Sequence, residues 1–464
     1  MILKLDVTNL KDITNKKGLV DSMMAPKKGR KHSCQTLPPD LLSNLPKNAL
    51  DGILVRLPLR EAVRTSILSK KWRYTWCKLP ELTLDETLWE TPADAGSLRW
   101  GRDLTFVTSN FTKIMYHILT LHAGPITKFT LSISMLVSCP NVDNLIYFLS
   151  RDDIKDLVLR LPEPEDNLYK LPSSFFTCLQ LRHLTLQHCL ILPPPTFRGF
   201  DKLISMELSG VKISSKYLES LISNCPLLEQ LVLEINHVMK VIEINAPMLR
   251  SFDFTGSVRF LCLKNIPLLE KFSLADSEYV DRKESHDIVK FFRSLSTIEH
   301  LHLEYMWFSA CLGLDIPARL PFNLNRVKHF SLRFSLICLD EVLCTLCLIR
   351  SFPYLQYLKI EIVGNHDEDI PALECLEVEH FSDVTFNHLR EVRLIMGTGS
   401  KPEMQLIKLL LAKSPLLVRM LIEAGMFEEF VPARIQESAA VQMLVKVAKF
   451  QRASPTAEVD LRLF

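Results

Sequence analysis

No run of eighteen apolar residues occurs in this 464-residue chain, so no membrane-spanning helix is expected. The nearest approach, Leu336 to Ile349, is broken by Asp340 and Glu341. An excess of one charge is missing as well. Fifty-five basic and 53 acidic residues leave a formal net charge of +2, too balanced to argue for nucleic acid as the main partner. The first residues lack the basic-then-apolar order of a secretory leader, which makes the nucleus or the cytoplasm the expected location. The 12 cysteines show no framework spacing. Scattered mostly within apolar runs, they are expected to be reduced, small and buried.

Catalytic and metal-binding patterns are also wanting. Cys344 and Cys347 form one C-x-x-C with no second ligand pair in range, which favours core cysteines over zinc. His183, His188 and Cys189 alternate along an expected strand, so their side chains diverge. His300 and His302 share a strand face, but two ligands do not make a metal site. Gly397 and Gly399 lack the rest of a phosphate loop and suggest a turn. No active site, cofactor or metal is expected, and the chain reads as non-catalytic.

What is present begins at Leu45 to Trp76, which breaks into three short helical pieces. Asn44-Leu45-Pro46 suits a helix start. Leu50, Ile53, Leu54 and Leu57 follow at three- and four-residue spacing, on one helix face. Pro58 stops that helix, because the residue before a proline avoids the α region. Arg60 to Ser69 and Lys70 to Trp76 follow, the latter with Trp72 and Trp76 four apart. So short a segment cannot bury this much apolar surface alone and needs a partner, either the rest of the chain or another protein.

From Ile126 an apolar-x-x-apolar-x-apolar unit recurs, starting again at Ile154, Leu181, Leu203, Leu228, Leu249, Leu269, Ile298, Val327, Leu355, Leu389 and Leu417, with a further copy suggested at Leu373. Pro226, Pro247, Pro267, Pro353 and Pro415 each stand two residues before a leading apolar position. A helix that ends at a proline and enters a strand explains both features, so each unit reads as helix, turn, strand, and the units must stack. Before the repeats, Leu82 to Leu84 suggests a strand and Leu104 to Leu121 a capping helix. Ahead of the helical segment, Pro26 to Lys31 is a basic cluster of nuclear-import type.

These residues carry three resemblances. Leu45-Pro46, Ile53-Leu54, Leu57-Pro58, Ala62 to Ser66, Leu68-Ser69, Trp72-Arg73 and Trp76 resemble an F-box of the kind common in plant proteins. The repeats resemble irregular leucine-rich repeats, without the regular turn asparagine. His388 to Glu423, with Phe450 to Pro455 and Val459 to Leu463, is similar to the FBD domain that accompanies both.

The resemblances imply an α/β protein: a three-helix F-box, then a leucine-rich-repeat solenoid with its parallel sheet on the concave side, capped by an FBD region. The expected boundaries are a disordered basic tail over 1–36, F-box 37–80, linker and cap 81–125, repeats 126–370 and FBD-like units 371–464. Also implied is a substrate-recognition subunit of an SCF-type ubiquitin ligase. The F-box would hold a Skp-type adaptor, and through it a cullin-RING ligase, by Leu45, Pro46, Ile53, Leu54, Leu57, Pro58 and Trp76. Val63, Leu68 and Trp72 would hold the three helices together. Alternation in the strands turns Glu207, Glu234, Asp253, His302, Glu304, Arg333, Lys359 and Glu361 outward, and these are the expected contacts to an unknown target protein. Lys47, Asn48 and Gly52 depart from the F-box pattern. They keep open a repeat scaffold that binds a partner without ubiquitination.

Overall fold

The computed structural model describes residues 45–68, 70, 72–85, 88, 104–136, 139–163, 167–275, 288–304, 316–336, 339–363, 376–381, 384–397, 399–425 and 433–463. The expected tail, with its basic cluster, and the start of the extra repeat at Leu373 lie outside them. The chain divides after Phe200 into two compact units.

In the first unit, helix α1 (Lys47–Leu54) follows Pro46 and turns Leu50 and Leu54 inward. Pro58 occupies the N-cap position of α2 (Leu59–Arg64), where its fixed φ and missing N–H cost nothing. A 3-10 turn, Thr65–Ile67, continues it. The expected third helix, Lys70 to Trp76, is replaced by turns and a 3-10 segment, Trp76–Lys78. Two features account for this. The Ser66 hydroxyl donates to the Arg73 carbonyl at 3.0 Å, and Pro80 forces Leu79 to extended backbone, ψ 127°.

Helix α3 (Leu104–Leu121) forms over the span its apolar spacing suggests. Just beyond its end, His122 Nε2 lies 2.9 Å from the Leu79 carbonyl, and the Ala123 N–H donates to Cys77 at 2.8 Å. Strands β1 (Glu81–Leu84), β2 (Lys128–Ser132) and β3 (Asp156–Arg160) then pair in parallel, in chain order. Helix α4 (Asp143–Leu149) returns the chain between β2 and β3. A short pair, β4 (Tyr169–Lys170) with β6 (Cys189–Leu190), stands apart from β5 (His183–Gln187), which extends the sheet beside β3.

The second unit repeats the scheme. Its parallel strands are β7 (Ser205–Ser209), β8 (Gln230–Asn245), β9 (Ser251–Lys264), β10 (Lys271–Ala275), β11 (His300–Glu304), β12 (His329–Phe334), β13 (Tyr357–Ile362), β14 (Glu391–Met396), β15 (Arg419–Ala424) and β16 (Glu458–Leu463). Each pairs with its neighbour in sequence. Helices α5 (Ser215–Ser223), α6 (Ile288–Arg293), α7 (Leu339–Arg350), α8 (Lys401–Lys413) and α9 (Ala433–Ala448) lie between strands. Register is set by the apolar period: the second and fourth residues of successive strands, such as Leu301/Leu303, Phe330/Leu332 and Leu358/Ile360, are buried side by side. Each such side chain contributes roughly 1.5–3 kcal/mol of transfer free energy.

The phased prolines have a more local role than helix termination alone. Each is the second residue of a β-turn whose fourth residue, the leading apolar position, donates back. Leu228 bonds to Cys225 at 3.1 Å, Leu249 to Ala246 at 3.1 Å, and Leu269 to Ile266 at 3.2 Å. Leu355 bonds to Phe352 at 3.2 Å and Leu417 to Ser414 at 3.3 Å. Proline presets the φ that this turn position requires.

Not every unit keeps the expected helix, turn, strand order: the one from Leu181 to Leu203 follows β5 with only the short β6 and turns, and the two after Leu228 depart furthest. From Leu228 to Leu249 and from Leu249 to Leu269 the chain has too few residues for a strand, a helix and a turn. Instead β8 runs 16 residues and β9 runs 14, pairing on both sides of a register break between Ile235 and Met239. Gly256, φ +143°, makes the break possible, since a Cβ there would sit 2.4 Å from the Ile235 carbonyl oxygen.

The expected turn at Gly397 and Gly399 is held by Glu403. That carboxylate, almost wholly buried, accepts N–H bonds from Gly397 (2.8 Å), Gly399 (2.9 Å) and Ser400 (2.7 Å) at the start of α8. Glu341, third residue of α7, accepts from the Ser335 N–H at 2.7 Å, the same device two strands earlier.

Candidate functional site

Two surfaces bear on function. The first is the helical segment. Leu54 is 0% exposed and Trp76 is 3% exposed, so two of the seven expected adaptor contacts lie in the interior of the first unit. Trp72 joins them there, while Leu68, expected to hold the helices together, is 55% exposed. Leu45 and Leu57 are half-buried; Ile53, Pro46 and Pro58 are exposed. Ile67, at 74%, is the most exposed large apolar residue of the segment, and Val55 and Tyr74 accompany it. The periodicity that selected Leu54 reports burial in the chain's own interior as readily as against a partner. Ile67 and Leu68 were missed because the 3-10 turn rotates them away from the face that an α-helix would give them.

The second surface is the sheet face turned away from the core in the second unit. Alternation places all eight expected target contacts on it, none of them buried. Several stand beside one another. His302 lies 3.6 Å from Glu304, and Arg333 lies 3.3 Å from Glu361. Further along, Arg393 meets Glu423 and Arg419 meets Asp460, each at 2.7 Å. Glu234 accepts from the Ser209 hydroxyl. Glu207 opens the row on β7, while Asp253 and Lys359 form no ion pair among the described residues. The later strands therefore offer mostly paired charges, with Lys359 the exception among the expected contacts.

Sequence reasoning missed a column beside these. The third residues of four consecutive repeats, Lys271, His300, His329 and Tyr357, are in register. The rings of His300 and His329 stack at 4.2 Å with 12° between planes. Aligning the repeats one under another reveals the column; reading each repeat alone does not. Burial holds both imidazoles below the usual histidine range, and the neighbouring Lys271 and Lys328 push the same way.

No disulfide joins the eight cysteines among the described residues, and Cys344 and Cys347 are buried within α7. Burial pushes the thiols of Cys178 and Cys189 up to about 12. Among the described residues no three His, Cys, Asp or Glu side chains gather to hold a metal ion, and no helix is long and apolar enough to cross a membrane.

A short helical segment with an exposed apolar patch, followed by parallel-stranded repeats with a polar outer face, defines an F-box protein of the leucine-rich-repeat class. The F-box domain family matches residues 42–83, and the family described as "FBD-associated F-box protein At5g56370, LRR repeats" matches residues 142–360. F-box/FBD/LRR-repeat protein At1g13570 of Arabidopsis thaliana is 33% identical over 432 residues, covering 91% of this chain and 98% of its own length. Putative FBD-associated F-box protein At5g50270 of the same plant is 24% identical over 414 residues, 82% of this chain and 96% of its own. F-box/LRR-repeat protein At4g14103, also from Arabidopsis thaliana, is 31% identical over 202 residues, 42% of this chain and 49% of its own. The chain belongs to the plant F-box/FBD/LRR-repeat family.

Proposed function

We propose that this chain is the substrate-recognition subunit of an SCF-type E3 ubiquitin ligase. The helical segment binds a Skp-type adaptor, the outer face of the repeats binds a target protein, and ubiquitin transfer takes place on other subunits. Its contribution to catalysis is then proximity alone. The observation that carries the reading is the exposure of Ile53, Val55, Ile67 and Leu68 on a segment whose remaining large apolar groups are largely buried. Large apolar side chains left exposed on so short a segment call for a covering partner.

The test is co-purification with a plant Skp-type adaptor. Wild type is expected to capture the adaptor, and Ile67→Asp with Leu68→Asp to lose it while circular dichroism is unchanged. Capture that survives both substitutions would overturn this docking map. A second reading, a repeat scaffold outside any ligase, draws on α1. Its first turn holds no acidic residue, and Lys47 and Asn48 are exposed there. Folded wild-type chain that captures no adaptor would select that reading.

A further inference from the structure

A depression of about 420 Å³ lies on the outer face of the second unit, over strands β9 to β13. Its shape follows from the sequence. Lys271, His300, His329 and Tyr357 form a wall of long and ringed side chains, while Ser273 and Ser331 on the neighbouring row are too small to fill the space beside it.

The lining is rich in donors. Lys271 brings an ammonium with no ion pair among the described residues, Tyr357 a hydroxyl, and His300 and His302 imidazoles. His329 stacks on His300, and its Nδ1 is buried with no hydrogen-bond partner. Acceptors are scarce, and Asp253 is the one carboxylate among the lining residues. It stands on β9, across Ser273 from His302 and three strands from His329, so its charge disfavours an anion near β9 more than one near β11 and β12.

A metal ion does not fit this arrangement. Ring-nitrogen lone pairs lie in the ring planes, and two nearly parallel planes 4.2 Å apart do not converge on one ion. A cationic ligand would meet Lys271 and offer no acceptors to the donors. A ligand that brings oxygens and negative charge satisfies both.

We propose that this depression binds an oxyanion, a carboxylate or a phosphate monoester, held by Lys271, His300 and His329, with the serine hydroxyls beneath it. The inference deepens the reading of this face as the target-binding surface and names the chemistry of the group it takes. The charged groups facing the stacked pair are Lys271 on β10, Glu299 and Lys328 at the starts of β11 and β12, and the partner ring itself. Glu299 is already engaged by Lys328 at 3.1 Å and Arg326 at 3.3 Å, so it does not occupy the donors. Bound oxyanion favours the imidazolium forms, so affinity should rise as pH falls from 7.5 to 6.

The test is isothermal titration calorimetry of the full chain at pH 6.5 with three probes: inorganic phosphate, a phosphoserine hexapeptide, and the same peptide with aspartate instead. Saturable binding of phosphate and of one peptide is expected. Lys271→Met and His329→Phe, the latter keeping a ring against His300, should each weaken it at least tenfold with the melting temperature unchanged. The exposed Lys240→Met should leave it as it was. The peptide that binds tells phosphate monoester from carboxylate, and phosphate without either peptide would assign the site to a free anion. Absence of saturable heat with all three probes, or equal affinity in both site variants, would overturn the proposal. No adaptor is present, so this failure and a failure of adaptor capture are read separately.

Discussion

Glu403 shows how much one side chain can hold. Its carboxylate accepts three backbone N–H groups at the turn between β14 and α8, that of Gly397 buried and those of Gly399 and Ser400 part-buried. Glu403→Ala should cost about 2 kcal/mol or more, read as a fall in the urea midpoint at constant m-value, because buried donors left unpaired carry their desolvation penalty. The histidine pair gives a pH prediction. Both rings have folded pKa values below their unfolded ones, so the unfolded chain binds more protons at mildly acid pH. Their contribution is complete above the unfolded value of about 6.5 and is lost as pH falls through the depressed folded values. Thermal unfolding from pH 7.5 to 5 should show a steeper fall in wild type than in His300→Gln with His329→Gln.

At the scale of elements, a hydrogen-bonded β-turn precedes most strands and recurs through β8 to β15. Pro226→Ala should cost about 0.4–1 kcal/mol, acting chiefly through the unfolded chain. Gly256→Ala is a different matter: positive φ and a Cβ 2.4 Å from the Ile235 carbonyl oxygen forbid the register break. It should cost about 2 kcal/mol or more, by denaturant unfolding, and should disturb β8 and β9 ahead of the other strands.

The strands and their facing were legible in the sequence because a period of two with a leading apolar residue leaves little choice of register. The long return legs of β8 and β9 were not, since their apolar residues suit helix or strand over so short a span. Nor was the local geometry near Trp76, where Ser66 and Pro80 overrule the spacing of two tryptophans. In the helical segment, apolar identity showed that a surface would be covered but not by what.

For the whole molecule, the two surfaces can be separated by experiment. Leu54→Ala removes a core group and should destabilise the chain by about 2–5 kcal/mol, a fall in melting temperature with or without adaptor. The paired substitutions at Ile67 and Leu68 should do the reverse, sparing stability and removing adaptor capture. Neither should alter oxyanion binding at Lys271, so three readouts on one set of variants separate folding, docking and recognition.

The turns before the strands also bear on how such a chain can diversify. From β8 to β15 the hydrogen-bonded turn recurs before every strand, whereas across the repeats the chain between one leading apolar residue and the next varies from 20 residues (Leu249 to Leu269) to 34 (Leu355 to Leu389). Insertions and deletions are thus absorbed on the return legs, out of register with nothing, and single replacements at the outward strand positions leave the interior untouched. If the outward face binds a target as proposed, such small edits could change what it recognises while the scaffold stays intact.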